Sequence, residues 1–310
     1  MGKKITRRSF IKTSGAIGVN AFLGSTVIPE IGSGSEKIDI AIVKSKDYFN
    51  AAREAVRLMG GIQMYVPENA KVALLPNPGS GNPGSYTKPE ILRAAIQMCK
   101  EAGAAQIAVI GWLPMRDWIK CGSKRVIDEE GIDLIITDLR DESQFMRVPV
   151  PKGVGIKEAR LLKTHFKFDR LIDLPITKEH SGNKYSGALK NMMGMNSPKS
   201  CQTFHRSNWV FNTDDIEFLE QCIADLNTVI RVDLCIADAT EFLITNGPSG
   251  PGKLSRPQKV LVGTDRVAID AYCATLFGLN PQDVIAVKRA YAHGLGEMDL
   301  SKINIKEIEF

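Results

Sequence analysis

The chain has 310 residues, of which 44% are hydrophobic and 24% are charged. That balance is typical of a globular protein with a sizeable core, and it excludes a disordered, collagen-like or coiled-coil chain. Residues 1–29 contain five basic residues and no acidic one, which accounts for the whole formal net charge of +5. The rest of the chain is neutral, so we expect no nucleic-acid partner, because such a partner requires an excess of positive charge.

The basic N-terminal segment resembles a twin-arginine export signal. Residues 6–12 read Thr-Arg-Arg-Ser-Phe-Ile-Lys, which is a polar residue, two arginines, a hydrophobic pair and a lysine. Residues 17–28 are weakly apolar, which suits the hydrophobic region of a signal but is short for a membrane span. We therefore expect residues 1–30 to be a signal or anchor that engages the twin-arginine export machinery. The expected location is the periplasm or the extracellular face, with the protein either released or tethered to the membrane.

Strand and helix patterns alternate along the rest of the chain. Short apolar or alternating runs predict strands over residues 37–43, 72–75, 107–110, 134–137, 171–174, 234–237, 260–262 and 303–310. Amphipathic spacing predicts helices over residues 47–59, 87–102, 186–195, 214–230, 266–277 and 282–293, and another from residue 115. In the second helix Thr87 is the predicted N-cap, and Glu90 closes a capping box with it.

This alternation predicts an α/β fold, with a mainly parallel sheet flanked by helices. No long linker interrupts residues 37–310, so we expect a single domain made of two interlocked halves. The best candidate for a seam between the halves lies near residues 149–155, which are rich in proline and glycine.

The six cysteines are scattered and form no Cys-x-x-Cys pair. The spacing therefore matches neither a zinc ribbon nor a ferredoxin-type cluster, and it indicates no disulfide framework. Most of these cysteines lie in apolar surroundings, so we expect them to be buried as small hydrophobic residues. No metal site is predicted, and the cofactor, if the protein uses one, stays unassigned.

Two loops are rich in glycine and proline. Residues 76–85 follow a predicted strand and lead into a helix, where backbone N–H groups and a helix N-terminus favour an anion. The loop lacks the lysine of a P-loop, so a nucleotide site of that kind is not expected. It is either simple turn sequence or an anion cradle that contains Asn77 and Ser80. Residues 246–253 form the second loop, with Ser249 as its candidate contact.

The densest polar segment is residues 177–191, directly after a predicted buried strand. In an extended chain Lys178 and His180 lie on one face, because side chains alternate. Two lysines beside an imidazole attract an anion and lower the imidazole pKa, which makes His180 a candidate general base or metal ligand. The alternative is a solvated basic loop followed by a short helix.

These patterns together predict a cleft that binds a small anionic ligand or cofactor, with acid–base chemistry as a candidate activity. The candidate catalytic residues are His180 and Lys178, and the candidate ligand-binding residues are Asn77, Ser80, Lys190, Asn191, Ser249 and Asp265. Asp265 has a second interpretation, as the N-cap of the next helix. Two other classes stay open: a redox-associated protein that holds a cofactor or metal, and a non-catalytic surface or assembly protein that forms a homo-oligomer.

Six segments, in chain order, resemble one known family. They are Pro76-Asn77 with its glycine loop, Lys178-Glu179-His180, Ser186-Gly187-Ala188-Leu189-Lys190-Asn191, Gly247-Pro248-Ser249-Gly250, Gly263-Thr264-Asp265 and Gly294-Leu295-Gly296. Together they resemble domain-of-unknown-function family 362 over roughly residues 37–308. The Gly-Ala-Leu-Lys-Asn block is the most specific of the six.

The resemblance implies an α/β protein of a family without a settled general activity. Some members carry fused ferredoxin-type segments, but this sequence has none, so an iron–sulfur cluster is not carried over. Three residues depart from the family pattern: Leu75 replaces the common Lys, Glu179 the usual Thr, and Arg266 the usual Pro. The change at Leu75 removes one candidate contact to an anion.

Overall fold

The protein is represented by a computed structural model that describes residues 37–138 and 140–310. The predicted twin-arginine segment at residues 1–30 lies outside the described residues. The part that is described forms one compact unit. Within it, no helix combines the length and apolarity needed to cross a membrane.

The structure contains twelve strands and nine α-helices in these residues. The strands are β1 (Ile40–Lys44), β2 (Lys71–Pro76), β3 (Gln106–Gly111), β4 (Asp133–Ile136), β5 (Phe145–Pro149), β6 (Glu158–Leu162), β7 (Arg170–Leu174), β8 (Leu234–Ala239), β9 (Phe242–Leu243), β10 (Leu254–Ser255), β11 (Lys259–Gly263) and β12 (Ile305–Glu309). The helices are α1 (Tyr48–Leu58), α2 (Pro89–Glu101), α3 (Met115–Lys120), α4 (Ser123–Glu129), α5 (Ala188–Asn191), α6 (Pro198–His205), α7 (Thr213–Asn227), α8 (Arg266–Thr275) and α9 (Ile285–Ala292).

Eight of these strands form one mixed sheet in the order β12-β1-β11-β8-β7-β2-β3-β4. All neighbouring strands are parallel except the two pairs that include β11. The connection from β8 to β11 carries only the small β9–β10 ribbon, and without a crossover helix the two strands pair antiparallel. The predicted α/β fold with a mainly parallel sheet flanked by helices is confirmed.

The sheet separates two hydrophobic cores, because alternate side chains of a strand point to opposite faces. In β2, Leu74 packs with the core formed by α1 to α4, whereas Leu75 packs with the core formed by α5 to α9. Helices from the first half of the chain therefore cover one face, and helices from the second half cover the other.

Several local predictions need correction. Thr87 is not the N-cap of α2: its hydroxyl donates to the Leu174 carbonyl, and the helix begins after Lys88 without a side-chain cap. The helix predicted from residue 115 is broken into α3 and α4 at Gly122, which has a φ of 84°. The hairpin β5–β6 and the helix α6 were not predicted.

The predicted seam at residues 149–155 lies in the turn of the β5–β6 hairpin. Asp225 on α7 holds this turn, since its carboxylate accepts the backbone N–H groups of Val154, Gly155 and Ile156 at 2.8, 2.6 and 2.9 Å. Burial alone would raise the pKa of Asp225, but these hydrogen bonds outweigh that effect and the pKa is lowered. The segment is therefore fastened to the helical layer.

Candidate functional site

A cavity of about 240 Å³ opens beyond the carboxyl ends of β2, β3 and β7. The chain leaves β2 towards β3 and β4 on one side, whereas β7 and β8 lie on the other side of β2. Open α/β sheets bind their ligands where the strand order reverses in this way. The loops that follow the three strands supply most of the cavity wall.

Lys178 enters the cavity from a tight loop after β7. Its backbone pairs with Ser186, with the two N–H···O distances at 3.0 and 2.9 Å, so the segment doubles back on itself. The Lys178 ammonium donates to the Ser85 carbonyl at 2.7 Å and approaches the Asn77 Oδ1 at 3.4 Å. Burial and the nearby charge of Lys190 lower the pKa of Lys178 from 10.5 to about 7.

His180 lines the same cavity and is only 4% exposed. Its Nδ1 lies 2.9 Å from the Ser181 carbonyl oxygen, which can only accept, so Nδ1 carries the proton of the neutral ring. The lone pair is then on Nε2, for which the described residues supply no hydrogen-bond partner. Burial, followed by the charge of Lys190, lowers the pKa of His180 to about 2, so the ring is neutral at any ordinary pH.

Lys190 lies on α5, and its position is set by Asp270 of α8. The Asp270 carboxylate accepts the backbone N–H groups of Ala188 and Leu189 at 2.7 and 2.9 Å, and also the Tyr185 hydroxyl at 2.9 Å. Burial raises the pKa of Asp270 to about 6. The carboxylate thereby satisfies the N–H groups at the start of α5, which the short helix cannot satisfy itself.

Lys190 is half-buried, and its ammonium has few polar partners. Its closest polar contact is the Met193 sulfur at 3.6 Å, and among residues 37–138 and 140–310 it forms no ion pair. Burial lowers the pKa of Lys190, and the charge of Glu220 opposes this. Lys178 likewise makes no ion pair within the part of the chain that the structure describes.

Asn77 and Asn191 connect the cavity to the buried sheet. The Asn77 amide donates to the Asn191 Oδ1 at 3.1 Å, and the Asn191 amide donates to the Leu75 carbonyl at 3.0 Å and to Asp173 at 2.7 Å. Burial raises the pKa of Asp173 to about 7, an effect that the Asn191 hydrogen bond opposes. The polar atoms of Asn191 are thus used by the protein itself, and this residue positions Asn77, whose Oδ1 in turn faces the Lys178 ammonium.

Ser80 and Ser249 lie in an outer, more polar part of the cleft, with a volume of about 670 Å³, which shares Asn77 and Lys178 with the inner cavity. The Ser80 hydroxyl donates to the Ser249 carbonyl at 2.5 Å. Lys120 donates to the Ser80 carbonyl at 3.2 Å. Hydrogen bonds therefore hold the two glycine- and proline-rich loops together in this outer part of the cleft.

Asp265 is the one predicted site residue that lies elsewhere. It follows β11, which runs opposite to the other strands, so its loop is at the other end of the sheet. Its carboxylate caps α8 by accepting the Ala268 N–H at 2.9 Å, and it also accepts the Glu297 N–H at 2.7 Å. The interpretation as an N-cap is therefore the one that the structure supports.

The inner cavity contains no aspartate or glutamate among its described lining residues. Its ionisable groups are Lys178, Lys190, His180, His205 and the Cys201 thiol. The remaining wall is largely apolar and includes Leu75, Trp112, Leu113, Trp118 and Met193. The cavity combines a positive interior with apolar walls.

Several residues of the site were missed by the sequence analysis. His205 lines the cavity, and burial and Lys190 lower its pKa. The Trp209 ring packs near both imidazoles, with its centroid 5.1 Å from that of His180 and 4.9 Å from that of His205. Asp270 was also missed, because it is 80 residues from Lys190 in a plain helical pattern.

The three departures from the family pattern have separate structural roles. Leu75 is buried in the core and also forms part of the cavity wall. Glu179 points away from the cavity and accepts the Gly247 N–H, which holds the second loop in place. Arg266 is half-buried and donates to Asn227 and to the Ile230 carbonyl.

All six cysteines are buried and free, as predicted for small hydrophobic residues. Burial raises the pKa of Cys201, the one that reaches the cavity, to about 12, so its thiol stays protonated. Within residues 37–138 and 140–310, no group of three or more His, Cys, Asp or Glu side chains is placed to hold a metal ion.

The fold and the cleft define an α/β protein with a small, positively charged cavity at the carboxyl edge of a mixed sheet. The chain belongs to the family described as domain of unknown function (DUF362), whose model matches residues 72–275. The matched region contains Lys178, His180 and Lys190, and the resemblance drawn from the sequence motifs is confirmed.

Two solved structures show a distant similarity to the chain. The lactate racemase apoprotein from Thermoanaerobacterium thermosaccharolyticum is 11% identical, with a TM-score of 0.43 over 66% of this chain and 52% of its own. A protein from Thermotoga maritima is 10% identical, with a TM-score of 0.45 over 80% of this chain and 60% of its own. The chain thus spans only part of the length of both proteins. No curated protein matches the chain at a significant level.

Proposed function

We propose that the inner cavity binds a small organic anion, which Lys190 and Lys178 hold by its carboxylate. The observation that carries this proposal is that the described lining residues include the buried Lys178 and the half-buried Lys190 but no acidic residue, and that neither lysine forms an ion pair with them. Burial disfavours both ammonium groups, and Glu220, which offsets part of this for Lys190, does not pair with it directly. An anionic ligand in the cavity supplies a negative charge in direct contact with the lysines. The apolar wall suits the remainder of a small molecule.

His180 is the proton-transfer group of this proposal. His180 lines the cavity, its unprotonated Nε2 makes no hydrogen bond with the described residues, and its pKa is low because the site is buried and positively charged. The positive charge of the lysines disfavours protonation of the imidazole, and a bound anion cancels part of this charge. Ligand binding is therefore expected to raise the pKa of His180 and to make it a stronger base. Acid–base chemistry beside a carboxylate is accordingly the reaction class that we propose.

The affinity for an anion is expected to fall as the pH rises through about 7. The anion binds the protonated form of Lys178, so affinity is constant well below that pKa and declines by up to about tenfold per pH unit above it. Calorimetric titration with oxalate, whose charge is constant in this range, measures the effect. Acetamide, which is neutral, is expected to give no binding. Absence of oxalate binding, or an affinity that rises with pH, contradicts the proposal.

We also propose that the protein is exported by the twin-arginine route. The supporting observation is the sequence of residues 6–12, with its paired Arg7 and Arg8 followed by Phe-Ile-Lys. Fusing residues 1–36 to a folded reporter in a bacterium with this pathway is expected to carry the reporter out of the cytoplasm. With the charge-conserving double change Arg7→Lys and Arg8→Lys, the reporter is expected to stay in the cytoplasm, because the export machinery recognises the arginine side chains and not their charge alone.

The matched control is the change Lys3→Arg and Lys4→Arg, which alters two basic residues outside the motif and is expected to leave export unchanged. Equal reporter distribution for the original segment and for the Arg7→Lys, Arg8→Lys variant contradicts twin-arginine export.

A further inference from the structure

Hydrogen bonds orient the Lys178 amine and leave its lone pair without a partner among the described residues. In its neutral form the amine has two N–H groups and one lone pair, arranged tetrahedrally around nitrogen. The Ser85 carbonyl at 2.7 Å and the Asn77 Oδ1 at 3.4 Å can take both N–H groups. The lone pair is then left for the cavity, which Lys178 lines.

The surroundings favour a nucleophilic amine. No described carboxylate lines the cavity to keep the amine protonated, and Lys190 is close enough for its charge to disfavour a second ammonium. A desolvated lysine next to another cation is the environment in which amines attack carbonyl groups. The unprotonated amine of Lys178 is therefore a candidate nucleophile, a property that the binding of an anion alone does not need.

Lys190 restricts the class of carbonyl compound. It is the second cation of the cavity, and its ammonium has no ion pair among the described residues, so it is available to a carboxylate. Lys190 and Lys178 both line the inner cavity of about 240 Å³, so a carboxylate bound by Lys190 lies near the carbonyl group that meets the Lys178 amine. A 2-oxo acid has the two groups on adjacent carbons.

We propose that Lys178 forms a Schiff base with a small 2-oxo acid whose carboxylate is bound by Lys190. This inference rests on the proposed function, since it takes the same cavity and the same anion and adds a covalent step. It assigns the reacting atom to the Lys178 Nζ and the substrate class to 2-oxo acids.

The step needs no oxidant, reductant or co-reactant. The Nζ lone pair forms a bond to the carbonyl carbon, and the carbonyl π pair moves to oxygen. The two amine protons and that oxygen leave together as one water, and a C=N double bond replaces the C=O bond. The unprotonated Nε2 of His180, in the same cavity, is the group available to carry the first proton from nitrogen to oxygen.

Reductive trapping tests this proposal on the full protein. Incubation with pyruvate and sodium cyanoborohydride is expected to give one adduct per chain, which peptide mass spectrometry locates at Lys178. Trapping is expected to accelerate as the pH rises through about 7, because the free amine is the reacting form. Exposed Lys288 serves as the internal reference and is expected to react at least about tenfold more slowly. Butanone, which lacks the carboxylate, is expected to be trapped about tenfold less than pyruvate.

The variant Lys178→Arg keeps the positive charge but cannot form the adduct, and thermal unfolding shows whether it folds. Calorimetric binding of pyruvate without any adduct on Lys178, or equal labelling of Lys178 and Lys288, overturns the Schiff base and leaves the anion site intact. Failure of both pyruvate and oxalate to bind overturns the Schiff base and the proposed function together.

Discussion

Replacing Asp270 by alanine is expected to lower the free energy of unfolding by about 3 kcal/mol. Three buried donors lose their acceptor at once: the Tyr185 hydroxyl and the backbone N–H groups of Ala188 and Leu189. Each unpartnered buried donor costs about 1–3 kcal/mol, and removal of a buried carboxylate with a raised pKa offsets part of the sum. Urea-induced unfolding of the two proteins measures the difference.

The same change is expected to weaken oxalate binding, because α5, which carries Lys190, loses the acceptor at its N-terminus. The matched control is Asp214→Ala, an exposed aspartate near the start of α7, for which we expect a change within about 0.5 kcal/mol. A difference of less than about 1 kcal/mol between Asp270→Ala and the unchanged protein contradicts the role of Asp270 as the anchor of α5.

Replacing Lys190 by methionine is expected to weaken oxalate binding by roughly 10- to 100-fold. A hydrogen bond between a buried ammonium and a carboxylate contributes about 1.5–3 kcal/mol, and methionine keeps the length of the side chain without the charge. The fold is expected to remain, since the Lys190 ammonium forms no ion pair with the described residues and its one hydrogen bond to them is with the Met193 sulfur. Calorimetric titration of the folded variant gives the affinity.

A second readout separates a direct charge effect from a general disturbance of the cavity. The charge of Lys190 lowers the pKa of Lys178, so its removal is expected to raise that pKa and to move the decline in oxalate affinity to a pH above 7. The control Lys288→Met makes the same chemical change on the exposed face of α9 and is expected to alter neither the affinity nor the pH profile. An unchanged pH profile in Lys190→Met would show that the two lysines do not act on one anion.

Hydrophobic periodicity predicted much of the fold. The apolar run at 72–75 and the amphipathic spacing of 214–230 correspond to β2 and α7, and the boundaries differ by a few residues only. These predictions succeed because the pattern of burial along a strand or helix is a local property of the sequence. The hairpin β5–β6 was missed, since its strands are short and partly exposed and so carry only a weak pattern.

The candidate site was predicted only in part, because its residues come from several segments of the chain. Lys178, His180 and Lys190 were singled out together because they lie in one polar segment after a buried strand, and the structure places all three around one cavity. Asp265 was included because it also follows a strand, but the direction of β11 puts it at the opposite end of the sheet. The sequence of a loop does not indicate whether the strand before it is parallel or antiparallel to its neighbours in the sheet.

By itself the sequence determined the alternation of strands and helices, the α/β class, the family, and the polar segment that contains the two lysines and the histidine. Only the tertiary structure decided which groups face each other: that the lysines share a cavity without a described acidic lining residue, and that Asp270 holds α5. The physical reason is that burial and electrostatic interaction depend on distance in space, and Asp270 lies 82 residues from Ala188 along the chain.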